Sequence, residues 1–407
     1  MITRIEIDGF KSFLDFQLDV PPFLALVGPN ASGKSNLLDA IKLVANIMMF
    51  GPERGLIAQD RGGAADLFHR FADGDSVNTV TITVDMIIGG VQGFGPVPIR
   101  SRVVLRKNAG VPEVSESVAW VSTPEELSWL ERRGVSVNSA GELREGRRTL
   151  ERYGEPAFIQ MVPGDGLPRM GQFWRHLLLE VRWWHPFSLE PKHMRRPAEG
   201  PDMLPLETDG RNLAAVLHRL GEWDELWRVE ADLAAVIPGA TEIKPLFDER
   251  RQEYDFDVVF ASSGLVQPRL LSDGTLRAMG LLAARHDPLQ MGTLAIEEVE
   301  NGLHPSRVAE LVRRLTRDLP DFRADESLRS PHQVLLTTHS PALVSALWPE
   351  QAEGLVFTES VTHVEGARQR RSKVTRALPV AENGEPGTFT SPWDVEEFLS
   401  VVEWSEP

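Results

Sequence analysis

Glycine, lysine and serine at fixed spacing mark the first place in this sequence where chemistry could occur. Gly28-Pro29-Asn30-Ala31-Ser32-Gly33-Lys34-Ser35 matches G-x-x-x-x-G-K-[ST] in full, with Asn36 next in line. Glycines let successive backbone N–H groups turn inward around an anion, and a helix that follows adds the positive end of its dipole. Lys34 would meet the β- and γ-phosphates of a nucleotide, and Ser35 would place a hydroxyl on Mg²⁺. The chemistry implied is the binding of ATP with Mg²⁺.

Three further patterns gain weight from their order. Leu294-Ala295-Ile296 is an apolar run ending in two acids, Glu297 and Glu298. The first carboxylate of such a pair can order Mg²⁺ through water, and the second can polarise an attacking water. Upstream lies Leu271-Ser272-Asp273-Gly274-Thr275, where a serine is placed to cap a helix. Downstream, His339 directly follows the apolar run from Leu335 and could reach a terminal phosphate. Acids end many strands, serines cap many helices and histidines sit in many loops, so none of the three is specific alone.

Groups of this kind need rigid supports. Phe23–Val27 reads as a buried strand, and Ser35–Met49 as a helix with Leu37, Leu38, Ile41, Val44, Ala45 and Met48 apolar. Thr293–Ile296 and Val334–Thr338 read as further buried strands, Thr275–Arg285 and Pro305–Leu319 as helices. Residues 2–8, Phe13–Val20, Thr79–Ile88, Ile99–Leu105 and Tyr254–Ala261 have strand patterns. Helices are predicted over 123–152 and 211–236, and a loop over 154–172. Leu177–Trp184 is apolar, with Trp183-Trp184 expected in the core of the helical lobe, and leads into a Pro/Arg-rich loop ending near Pro205. Short apolar strands alternating with helices predict an α/β fold around a parallel sheet.

Composition narrows the field. The chain has 407 residues, 42% hydrophobic and 25% charged, enough for a large core in two lobes. It has no cysteine, which excludes disulfides, zinc–thiolate sites and cysteine nucleophiles. No secretory leader or membrane span is visible, so a cytoplasmic protein without membrane contact is expected. The formal charge of −16 argues against a protein that coats DNA by charge alone.

The four ordered motifs resemble the RecF/SMC/OLD-like branch of ABC-type ATPases. Ile5-x-Ile7-x-Gly9-Phe10-Lys11-Ser12-Phe13 looks like that branch's N-terminal hairpin. Ile296-Glu297-Glu298-Val299-Glu300-Asn301-Gly302-Leu303-His304-Pro305 looks like its Walker B and D-loop, and Thr338-His339-Ser340-Pro341 like its switch histidine. Glu297 departs from the usual aspartate, and Val299 from the common proline. Gln59, Gln92 and Gln160 are all candidates for the Q-loop.

The resemblance implies an ABC-type P-loop ATPase head: a central mostly parallel sheet, an antiparallel β subdomain and a helical lobe. Expected domains are an N-terminal ATPase lobe over 1–105, a helical or lid insertion over 106–240, a C-terminal ATPase lobe over 241–360, and a hairpin with a tail helix over 361–407. Two heads would pair as a homodimer or higher oligomer. Ser272, Asp273 and Gly274 of one copy would then meet the γ-phosphate held by the other. Glu298 would be the base, His339 the γ-phosphate partner, Glu297 and Ser35 the magnesium residues, and Lys11 a neighbour of the nucleotide. The segment between residues 35 and 271 is too short for coiled-coil arms, and residues 342–407 too short for a TOPRIM nuclease. The expected role is the ATPase module of a prokaryotic anti-phage defence complex, controlling a separately encoded nuclease or toxin. A RecF-like DNA repair ATPase is the alternative, with DNA as a candidate ligand; of the two basic stretches, Arg144–Arg152 and Arg368–Lys373, the second could touch a phosphate backbone but reads first as a solvated loop. Phe398, Leu399, Val402 and Trp404 of the tail helix are expected to dock on the body or on a partner.

Overall fold

The computed structural model describes residues 1–57, 62–88, 97–108, 112–120, 150–152, 177–200, 203–290, 292–319, 332–366 and 370–403. The chain opens with an antiparallel hairpin, β1 (Ile2–Asp8) and β2 (Phe16–Asp19), followed by β3 (Phe23–Val27). The glycine loop leads into α1 (Lys34–Phe50), and α2 (Pro52–Ile57) packs behind it. β4 (Thr79–Ile88), β5 (Val97–Arg106), β6 (Glu113–Trp120) and β7 (Leu150–Arg152) extend the hairpin into a six-stranded antiparallel sheet of order β2-β1-β4-β5-β6-β7.

The second half begins with α3 (Pro191–Met194) and β8 (Ala198–Glu199), then α4 (Leu213–Glu222) and α5 (Leu226–Val236). An antiparallel group follows: β9 (Ala240–Asp248), β10 (Glu253–Phe260) and β11 (Gly264–Val266). After it come α6 (Asp273–His286), β12 (Thr293–Ile296), α7 (Pro305–Thr316), β13 (Gln333–Thr338) and α8 (Pro341–Leu347). A long hairpin, β14 (Leu355–Glu365) with β15 (Arg370–Pro379), and α9 (Pro392–Glu403) complete the fold.

The central sheet has the order β12-β13-β3-β14-β15. Its first four strands run parallel and β15 returns antiparallel. Every residue of β3, β12 and β13 is buried, because both faces of the sheet are covered. One face, through Leu24, Leu26, Ala295, Leu335 and Val356, packs against α1 and the six-stranded sheet. The other, through Ala25, Val27, Leu294, Ile296, Leu336 and Leu355, packs against α4 to α8. Alternate residues of one strand thus serve two cores. The α9 helix meets the body through Val395, which is fully buried, Leu399, and the Phe398 ring, which meets that of Phe357 edge-on, 5.7 Å between centroids; the Val402 side chain lies outside the described residues.

Several expectations need correction. Residues 150–152, read as the end of a helix, pair with β6 as a strand. β6 and β7 belong to the same sheet as β4 and β5, so a boundary at residue 105 cuts through a hydrogen-bonded unit. The expected C-terminal hairpin starts at Leu355, not after 360, and β14 pairs with β3, which makes it part of the central sheet. The strand read over Phe13–Val20 shortens to β2, since Asp15 adopts a left-handed φ of 46°. The helix read to Leu319 ends at Thr316, and Asp318 is left-handed at 57°. Within the Pro/Arg-rich stretch, Phe187 bridges to Ile296 and α3 forms. Trp184 is fully buried in the core beside α1, outside the helical lobe, while Trp183 is only partly buried. Gln59, Gln92, Gln160, Trp404, the 154–172 loop and most of Arg144–Arg152 lie outside the described residues.

Candidate active site

The four parallel strands deliver their carboxyl ends to one edge of the sheet. Gly28 follows β3, Glu297 follows β12, His339 follows β13, and Thr358 lies on β14 one residue past its last pair with β3. Ligands of parallel α/β sheets sit at this edge.

Gly28–Ser35 forms the turn between β3 and α1. Gly33 has φ 104° and Ala31 φ 65°, left-handed values that curl the loop. A Cβ at Gly28 or Gly33 would run into Thr358 or Thr375 respectively. Those two threonines, on the C-terminal hairpin, brace the loop through a chain of hydroxyls. Thr358 Oγ1 donates to Val27 O at 3.1 Å, and Ser32 Oγ donates to it at 2.7 Å. Thr375 Oγ1 donates to Ser32 O at 2.9 Å, leaving Ser12 Oγ to donate to Thr375 at 2.7 Å. Asn36 Nδ2 donates to Ser12 Oγ at 2.8 Å, which ties α1 back to the N-terminal hairpin.

Lys34 is buried, and its ammonium donates to Gly28 O at 2.6 Å and Pro29 O at 2.9 Å. Burial lowers its pKa, opposed by the charges of Glu298 and Glu300. Ser35 Oγ donates to Glu297 Oε1 at 2.5 Å, so the hydroxyl and the carboxylate share one point. Lys11, left-handed at φ 45°, pairs with Asp39 on α1 at 2.6 Å and not with the glycine loop. His69 Nδ1 holds the Lys11 carbonyl at 2.7 Å.

Glu298 has φ 51°, an unusual geometry that costs on the order of 1 kcal/mol. Its N–H donates to Thr337 Oγ1 at 2.9 Å, and Asn301 Nδ2 donates to Glu298 Oε2 at 2.7 Å. Glu300 Oε1 receives Thr338 Oγ1 at 2.9 Å and the His339 N–H at 2.7 Å, and His339 Nδ1 lies 3.0 Å from the same oxygen. The His339 side chain is 46% exposed over a Glu300 that is 11% exposed.

Ser272 caps α6: its Oγ accepts from Thr275 N at 3.1 Å. Gly274 has no room for a side chain, since a Cβ would collide with Gly302 O. Ser272 and Asp273 are exposed. Among the described residues, Ser272, Asp273 and Gly274 make no hydrogen bond to Gly28–Ser35. The glycine loop, both acids and His339 are thus gathered in one place, while Ser272 and Asp273 face outward and Gly274 is buried beneath Gly302. Sequence reading missed Thr358, Thr375, Thr337 and the bond from Glu300 to His339. Only Glu300 left a trace, as an acid inside a motif.

A nucleotide with Mg²⁺ fits this chemistry. The lysine, the glycine cradle and the helix N-terminus suit phosphates. Mg²⁺ takes one or two protein oxygens and completes its shell with phosphate and water. Ser35 and Glu297 are the oxygens present.

A family model described as "AAA domain, putative AbiEii toxin, Type IV TA system" matches residues 171–345. A second, described as "AAA ATPase domain", matches residues 1–83. Both models describe ATPase domains, and the chain is similar in this to the SMC/RecF-like ABC-type ATPases. Between them, the two matches cover the glycine loop, the acid pair and His339. "Chromosome partition protein Smc" of Methanocaldococcus jannaschii is 44% identical over 71 residues, 16% of this chain and 6% of that protein. "Structural maintenance of chromosomes protein 1" of Arabidopsis thaliana is 41% identical over 76 residues, 18% of this chain and 6% of that protein. The ATPase thus matches only a small part of the length of these relatives. A crystal structure of the Smc head bound to the C-winged helix domain of ScpA shares the fold, with TM-score 0.50 and 16% identity over 93% of this chain and 97% of that one. Among the described residues no helix is long and apolar enough to cross a membrane.

Proposed function

We propose that this ATPase works as a pair of heads, each hydrolysing ATP at a site completed by the other. The observation that supports this is the split between a braced phosphate loop and a helix start that exposes Ser272 and Asp273 over a buried Gly274. In this reading Gly28–Ser35 and Asn36 hold the phosphates, Lys34 lies on the β- and γ-phosphates, and Ser272 and Gly274 of the second copy approach the γ-phosphate. Mg²⁺ at Ser35 and Glu297 would neutralise phosphate charge. Glu298 takes a proton from water as the water oxygen bonds to the γ-phosphorus and the bond to the bridging oxygen breaks. His339, oriented by Glu300, presents Nε2 to the γ-phosphate oxygens. Pairing then depends on ATP, and hydrolysis releases the heads.

The biological reading is the ATPase of a prokaryotic anti-phage defence complex that controls a separate nuclease or toxin. The family description naming a toxin–antitoxin system supports it, as does the acidic charge of −16, which weighs against DNA as the main ligand. Phage plating on cells carrying the wild-type locus or its Lys34→Ala variant tests it. Protection by the wild type, lost in the variant, is expected. An unprotective wild-type locus, together with ATPase activity stimulated by gapped DNA, would favour a RecF-like repair role.

A further inference from the structure

Asp273 poses a problem for the paired-head reading. It is the first residue of α6, and its side chain is 60% exposed beside Ser272. An acid there favours the helix dipole and so helps α6 to start. The same negative charge opposes any phosphate that approaches this helix end.

Arg195 answers that charge. Its guanidinium donates to Asp273 Oδ1 at 2.5 Å and to Leu271 O at 2.9 Å, gripping the loop on both sides of the capping serine. The arginine stands on a fixed base. Arg195 N donates to Pro191 O at 3.1 Å at the end of α3, and Glu190 N donates to Asp209 O at 3.0 Å. Met194 is buried against Gly280 in the middle of α6, where a Cβ would lie 2.8 Å from the methionine methyl. The charge is therefore held in place before any ligand arrives.

We propose that Arg195 is a positioning residue of the composite site. It cancels the Asp273 charge and sets the loop so that the triphosphate of a second copy can dock on Ser272 and Gly274. This rests on the paired-head reading. The role is electrostatic, so removing the acid relieves the loss of the base.

The test measures the ATP concentration giving half-maximal dimer, by sedimentation velocity with Mg²⁺, in full-length Glu298→Gln protein. Adding Arg195→Ala raises that concentration about tenfold, and adding Asp273→Asn to the pair brings it back to within about threefold. Arg195→Lys, which keeps the charge, stays within about threefold of the parent. No shift with Arg195→Ala overturns the proposal, as does a loss that Asp273→Asn fails to relieve, which marks a purely structural contact. If Glu298→Gln itself never dimerises at saturating ATP, the paired-head reading fails and this proposal with it. A dimer indifferent to Arg195 leaves pairing intact and removes only the arginine.

Discussion

The phosphate loop and the Ser272–Gly274 loop both sit at the start of a long helix, yet the chain treats them differently. Around Gly28–Ser35 the polar groups are spoken for: Lys34 rests on two carbonyls, Ser35 on Glu297, and Ser32 on two threonines. Around Ser272 the bonds are local caps plus one arginine, with Leu270, two residues earlier, 70% exposed. An exposed leucine near an exposed cap is poorly covered in one copy and well suited to burial by another. A site can thus be rigid where it grips its ligand and open where it waits for a partner.

Mutations on the two sides should separate binding from turnover. Lys34→Ala removes the only lysine in the loop; ATP binding by calorimetry should vanish and hydrolysis fall by at least about a hundredfold. Retained binding in that variant would undo the assignment of the loop. Ser272→Arg should leave ATP binding by the single head unchanged and lower hydrolysis about a hundredfold, since it blocks only the completing surface. Were binding and turnover to fall together, the two regions would not be separable.

Smaller effects sharpen the same contrast. Glu300→Gln should lower kcat about tenfold at nearly constant KM, because it acts through His339 in the reacting state. Measured on top of His339→Ala, it should add almost nothing; full additivity would make Glu300 an independent player. Thr375→Val removes a hydroxyl between Ser12 and Ser32 and should cost about 1 kcal/mol, seen as a few-fold rise in KM and a slightly lower melting temperature. An unchanged KM would mean the hairpin supports the fold and not the loop.

What sequence reading reached follows from how local each signal is. β3, α1, β12 and β13 announce themselves through short apolar runs and helical spacing, and the glycine loop is contiguous. The contacts from Thr358 and Thr375 to Ser32 join residues more than 300 positions apart, and an isolated threonine in a strand advertises only its β-branching. β7 was misread because a polar Arg/Glu-rich stretch resembles a helix until a partner strand is known. Arg195 sat in a loop-like Pro/Arg run, and only the packing of Met194 on Gly280 brings it to Asp273.

The most direct test is the molar mass of Glu298→Gln in solution, by light scattering, with and without saturating ATP and Mg²⁺. A composite site predicts a monomer without nucleotide and twice that mass with it, reverting when Ser272→Arg is added. A monomer under both conditions, with ATP demonstrably bound, would contradict it.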